Sequence, residues 1–162
     1  MSACPIEVVA LDIYGTVLAF DDHDYSCPPR KGLADFLDNC DRRRIKVVTS
    51  SDGFTPNVKN DLLIAFKLVT KRIIDPEEQE KMRKRLCLER FDGFFQMDQG
   101  SKDFSVIIGH YDIAPGQLLV IGDNFYKDIC GAAKLGAMTI QCPMYGIDQG
   151  REWDFAMVDL DN

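Results

Sequence analysis

Short apolar runs recur along the chain at residues 6–11, 45–48, 94–97, 118–121 and 138–142, separated by stretches with helical spacing. Such runs, partly β-branched and without a polar alternate face, predict strands buried on both sides, as in a parallel sheet. Between the first two, Leu33, Phe36 and Leu37 fall on one face of a helix over 32–44. Prolines near their starts favour helices over 56–66 and 76–90, and 101–111 and 125–135 complete the series. The alternation predicts βαβ units: an α/β, Rossmann-like, three-layer domain with a mainly parallel sheet of five or six strands. A sixth strand would come from 155–160 at an edge. Residues 67–75 fit either a continued helix or a short extra strand.

The chain of 162 residues reads as one domain. Residues 18–30, carrying Asp21, Asp22, His23, Asp24, Pro28 and Pro29, follow the first strand directly and are expected to form a flap over its end. With the flap and one helix filling the interval between Asp12 and the second strand, there is no room for a large cap. Residues 51–102 hold two helices and a strand, which leaves space for at most a minor insert near 67–90.

Charge narrows the partners. A net charge of −7 repels a phosphate backbone and argues against nucleic acid. A basic cluster, Arg42, Arg43 and Arg44, sits at a predicted helix end, where cations complement the dipole. No apolar run approaches the roughly 20 residues needed to span a bilayer. The N-terminal region lacks a signal-peptide pattern, so a cytoplasmic location without membrane contact is expected. Cys4, Cys27, Cys40, Cys87, Cys130 and Cys142 form no C-x-x-C pair and read as reduced thiols.

Candidate chemistry lies where the apolar runs stop. The first ends in Asp12, followed by Ile13, Tyr14, Gly15 and Thr16, and in an open α/β sheet ligands bind beyond the strands' carboxyl ends. The second closes with Thr49, Ser50 and Ser51, hydroxyls that either donate to a phosphoryl or carbonyl oxygen or cap the following helix. Lys102 follows the third run, and the fourth ends in Gly122, Asp123 and Asn124, with Asp128 shortly after. In a parallel sheet these residues emerge at one edge. Clustered carboxylates there would repel one another unless a hard cation and Lys102 offset them. Ser50 and Asn124 join Thr49 and Lys102 as candidate substrate contacts.

In that order the motifs resemble those of the haloacid dehalogenase superfamily, which consists mostly of phosphatases, over roughly residues 6–142. The resemblance implies that Asp12 is a nucleophile forming an aspartyl-phosphate, while Thr49 and Lys102 hold phosphoryl oxygens. It also implies Mg2+ bound by the Asp12 carboxylate, the Tyr14 backbone carbonyl and Asp123, with Asp128 in direct or water-mediated support. The small, uncapped members of the superfamily are the nearest in plan. An open site of that kind admits a small-molecule or macromolecular phosphoester, or receives its lid from a second subunit of a homo-oligomer.

Tyr14 departs from the family's pattern. Most of its phosphatases carry a second aspartate at this place, acting first as general acid and then as base. A phenol with a pKa of about 10 is a poor base at neutral pH, and loss of the carboxylate corresponds to about two to four orders of magnitude in rate. Tyrosine here resembles the hydrolytic 2-haloacid dehalogenases, whose leaving halide needs no proton. Those enzymes work without metal and lack the counterpart of Asp123, so the retained Asp123 and Asp128 favour a magnesium-dependent phosphohydrolase. Asp22, His23 and Asp24 on the flap are candidates to replace the missing acid. The alternatives are a metal-independent dehalogenase and a non-catalytic module that binds phosphate or metal.

Overall fold

A computed structural model describes residues 5–161. The elements, in chain order, are β1 (Val8–Leu11), α1 (Leu33–Arg42), β2 (Lys46–Thr49), α2 (Thr55–Lys71), α3 (Pro76–Arg85), β3 (Gly93–Phe94), α4 (Ser105–Tyr111), β4 (Leu118–Gly122), α5 (Gly131–Lys134) and β5 (Met138–Gln141). A π turn, Phe125–Cys130, leads into α5. The five strands are all parallel in the order β3-β2-β1-β4-β5.

Alternation along the strands divides the core between two faces. Val9, Leu11, Val47, Leu119 and Ile121 pack with Leu33, Phe36, Leu37 and Cys40 of α1 and with Val58, Leu62 and Phe66 of α2. Val8, Ala10, Val48, Leu118 and Val120 pack on the other face with Phe104, Ile107 and Ala132. Each fully buried side chain of this size contributes about 1.5–3 kcal/mol, so these apolar positions fix the three-layer arrangement. α3 buries none of its residues. Its half-buried Met82 packs against the core, and Arg85 adds ion pairs to Asp35 and Asp38 on α1.

Several expectations need correction. Residues 155–160 add no strand; Phe155–Met157 is a 3-10 turn whose Phe155 ring packs on Phe36. The third strand is reduced to two residues, because beyond Phe94 the chain bonds to β2 only through its turn, Phe95 N–H donating to the Thr49 carbonyl and Met97 N–H to that of Ser51. Residues 67–71 continue α2, with Thr70 buried on its inner side. The expected helix over 76–90 stops at Arg85, and that over 101–111 begins at Ser105. Cys4 lies outside the described residues, and Cys27, Cys40, Cys87, Cys130 and Cys142 are free thiols.

The topology sets the position of any site. From the central β1 the chain moves to β2 and β3 on one side, then crosses to β4 and β5 on the other. Loops leaving the carboxyl ends of β1 and β4 therefore diverge and open a crevice, the usual binding place of an open α/β sheet.

Candidate active site

Asp12 and Asp123 leave adjacent strands at that crevice. Asp12 continues the ladder one residue past β1, its N–H donating to the Ile121 carbonyl at 3.0 Å. Lys102 lies between two carboxylates, its Nζ 2.8 Å from Asp12 Oδ1 and 2.5 Å from Asp128 Oδ1. It is 5% exposed, and Asp128 1%. The tail of the side chain is thus carried through the core to meet charges that would otherwise be buried unpaired. One oxygen from each of Asp12, Asp123 and Asp128 lies within 4.8 Å of the others.

Backbone geometry makes this crowding achievable. After Ile13 the chain folds so tightly that the N–H groups of Thr16, Val17 and Leu18 all donate to the Ile13 carbonyl. Gly15 occupies the left-handed region at φ 89°, and a Cβ there would lie 2.6 Å from Asp123 Oδ2. Gly122 is needed for the other approach: a Cβ on it would meet Asp128 Cγ at 2.4 Å. The wide π turn after Asn124 brings Asp128 back beneath β4, where its Oδ2 accepts the Asn124 N–H at 3.1 Å. π segments occur mostly at functional sites, for which the lost α-helical geometry is compensated.

Three carboxylates face one ammonium, and the imbalance is visible in the protons. Thr16 Oγ1 lies 3.0 Å from Asp12 Oδ2 and 3.2 Å from Asp123 Oδ1, yet it has a single hydrogen to donate. Burial, then the hydrogen bond and charge of Asp12, push the Asp123 carboxyl up to about 7. Asp128 rises to about 6 through burial and the Asp12 charge, against the lowering pull of Lys102 and the Asn124 N–H. For Lys102 burial opposes the charge, but Asp12 and Asp128 overcome it and raise the pKa. An all-oxygen, acidic, proton-hungry set of this kind suits a hard divalent cation such as Mg2+.

The remaining sequence candidates fall in different places. Thr49 pairs with Leu11 in the β1–β2 register, one residue short of the level of Asp12. Ser50 is the next residue, its N–H donating to the Leu11 carbonyl at 2.8 Å. Its Oγ is buried without a hydrogen-bond partner among the described residues. Asn124 caps the π turn by accepting the Lys127 N–H, and the Lys127 ammonium in turn reaches Asp52 at 2.9 Å, linking the loops after β4 and β2.

Tyr14 is half-buried and sends its phenol to Asp61 Oδ2 on α2 at 2.5 Å. Burial first, and then the Asp61 carboxylate, hold that phenol protonated far above its ordinary range. Of the flap residues, Asp22 is engaged at home, accepting from the Ser26 N–H and hydroxyl and the Cys27 N–H. His23 and Asp24 are exposed. Asp61 was not legible as a site residue, since its α2 position carries no motif and the contact spans 47 residues. Thr16 was legible only as part of the turn after Asp12.

No family model matches the sequence, and no curated protein matches it. Solved structures do match in fold. A variant of CbbY from Rhodobacter sphaeroides, in complex with xylulose-(1,5)bisphosphate, aligns at TM-score 0.60 and 12% identity over 94% of this chain and 96% of that one. A haloacid dehalogenase-like family hydrolase from Xanthomonas campestris aligns at TM-score 0.52 and 13% identity over 96% and 93%. The phosphatase-domain part of the protein BF1531 from Bacteroides fragilis, complexed with Mg, aligns at TM-score 0.53 and 13% identity, covering 86% of this chain and 36% of that one. The chain has the fold of haloacid dehalogenase-like hydrolases.

Proposed function

We propose that the protein is a magnesium-dependent phosphohydrolase acting through an aspartyl-phosphate on Asp12. The observation that carries this reading is the Lys102 ammonium shared between Asp12 and Asp128 in a carboxylate triad at the β1/β4 crevice. Asp12, Asp123 and Asp128 would hold the ion, which when bound supplies positive charge to the phosphoryl oxygens and keeps the triad deprotonated. Mg2+ bound to one solved relative of the same fold agrees with this assignment.

The chain's own residues divide the work. An Asp12 oxygen attacks phosphorus while the bond to the leaving oxygen breaks, and Lys102 offsets the charge on nucleophile and phosphoryl group together. Ser50, level with Asp12 in the β1–β2 register and with a buried hydroxyl that has no partner among the described residues, is a better candidate than Thr49 to donate to a phosphoryl oxygen. Water then attacks the aspartyl-phosphate and releases phosphate. Tyr14 holds its proton too tightly to act as a base, so it does not itself replace the absent aspartate. Substrates whose leaving oxygen is weakly basic, aryl or acyl phosphates, therefore turn over best.

The test is turnover of p-nitrophenyl phosphate and acetyl phosphate with Mg2+ and with chelator. Mg2+-dependent hydrolysis lost in Asp12→Asn supports the reading, and folded protein that hydrolyses neither compound overturns it. Tyr14 keeps a dehalogenase in view. Chelator-insensitive halide release from a 2-haloacid would establish that alternative instead.

A further inference from the structure

Beside the triad lies a second feature that the reaction above leaves unused. A pocket of about 220 Å³ opens between the flap and α2, and Tyr14 forms part of its wall, two residues from Asp12. Its floor is apolar, made by Ile64, Ala65 and Leu68 of α2. The rings of Tyr14, Phe20 and Tyr25 and the carboxylate of Asp61 complete the walls that matter here. Asp61 receives the Tyr14 hydroxyl on one oxygen and lies close enough to Tyr25 to raise that phenol's pKa by its charge.

The charge balance of this pocket is one-sided. Its lining contains two carboxylates and the exposed imidazole of His23, and among the described residues no lysine or arginine. Asp22 is spent on the flap's own N–H groups, which leaves Asp61 as the anion facing the cavity. A substrate with a second phosphate or a carboxylate at this point would meet the Asp61 carboxylate, with no lysine or arginine in the lining to offset it. Lys67, Lys71 and Arg83 line an adjoining groove that shares Tyr25, Ile64 and Leu68 with this pocket, and none of the three lines the pocket itself. Aromatic faces next to a carboxylate are, by contrast, a combination that attracts organic cations, the rings through their quadrupoles and the carboxylate through direct pairing.

Resting on the phosphohydrolase reading, these observations specify the leaving group. We propose that the pocket between the flap and α2 receives the aryl portion of a cationic aryl phosphomonoester, with Asp61 pairing its ammonium substituent. The ring lies on the apolar floor between Tyr14 and Tyr25. The ammonium takes the place of the cation that the lining lacks.

Three substrates of nearly equal leaving-group basicity isolate the effect: tyramine O-phosphate, 4-propylphenyl phosphate and 3-(4-phosphooxyphenyl)propionate. Tyramine phosphate should exceed the neutral compound in kcat/KM by about 10- to 100-fold, as expected for a hydrogen bond to a charged group, and the propionate should be the poorest. In Asp61→Asn the ratio of cationic to neutral substrate should fall to near one. Equal kcat/KM for all three in the unmodified protein, or a preference for the propionate, overturns the proposal without needing any variant. Binding of the free phenols, tyramine against 4-propylphenol, is measured by calorimetry in parallel. Selective tyramine binding without hydrolysis of any phosphate would sink the phosphohydrolase reading and leave the pocket's specificity standing; hydrolysis without selectivity in either assay would do the reverse.

Discussion

Two cations are buried among the described residues, and they are held in opposite ways. Lys102 sits between Asp12 and Asp128, with its charge met by carboxylates on both sides. Arg30 is 1% exposed and makes no ion pair, feeling the Asp123 and Glu152 carboxylates only at longer range. Its guanidinium donates to the Gly150 carbonyl at 2.8 Å and to Cys142 Sγ, lies 4.9 Å from the Trp153 ring, and keeps an Nε without a partner. Burial lowers its pKa accordingly. A planar, weakly hydrated guanidinium tolerates rings and a carbonyl as its surroundings, whereas a compact ammonium does not. Arg30 is a staple joining the flap to the segment after β5, and Lys102 is the counter-charge of the proposed active site.

Removing each cation separates the two roles. Lys102→Met leaves three carboxylates facing one another and should cost about 3–5 kcal/mol of stability, with turnover falling about 100- to 1,000-fold. Chemical denaturation and p-nitrophenyl phosphate kinetics measure both, and Mg2+ should restore part of the stability because it supplies the missing charge. Near-normal turnover in this variant would remove Lys102 from the site.

The tight turn around the same cluster gives a second, smaller effect. Gly15→Ala must hold a side chain at positive φ and displace Asp123, costing about 2–4 kcal/mol together with a weaker calorimetric affinity for Mg2+. Unchanged Mg2+ affinity would detach Asp123 from the ion. Arg30→Met comes next. It strands the Gly150 carbonyl, so about 1–3 kcal/mol is lost, while kcat/KM changes by less than about threefold because no triad residue loses a hydrogen bond or ion pair and only the longer-range charge on Asp123 is removed. An Arg30→Met variant as inactive as Lys102→Met would erase the distinction between the two cations.

The least of these effects is a pH dependence. Asp123 and Asp128 have folded pKa values raised to about 7 and about 6 from the ordinary 3.8. The folded metal-free protein therefore binds more protons than the unfolded chain between those limits, and the pair's contribution to stability falls as pH rises through them. Thermal unfolding from pH 5 to pH 8 in chelator should show a decline that Mg2+ flattens and that Asp128→Asn lessens. A metal-free protein that gains stability over that range relative to Asp128→Asn would contradict the charge balance described here.

The same contrast separates what was legible in the chain from what was not. Asp12, Lys102, Asp123 and Asp128 could be read because each follows an apolar run whose β character is local, and a parallel sheet then brings strand ends together automatically. The sheet itself was legible for that reason, apart from the shortened third strand and the absent sixth, where two-residue pairing and a 3-10 turn carry no periodic signal. Arg30 and Asp61 could not be read. Their partners, Gly150, Cys142 and Tyr14, are separated from them by 47 to 120 residues, and no spacing rule connects a flap arginine with a carbonyl near the C-terminus. The proposed preference for Ser50 over Thr49 rests on β-sheet register, a one-residue distinction that an apolar run ending in three hydroxyl residues does not encode.

The central claim is that Asp12 becomes phosphorylated in a site completed by a divalent ion. Rapid acid quenching of the protein mixed with acetyl phosphate, followed by peptide mass mapping, tests it directly. A phosphoryl adduct on the Asp12 peptide, formed with Mg2+ and absent with chelator or in Asp12→Asn, is the predicted result. Hydrolysis of acetyl phosphate with no adduct at Asp12, or an adduct indifferent to Mg2+, would contradict it.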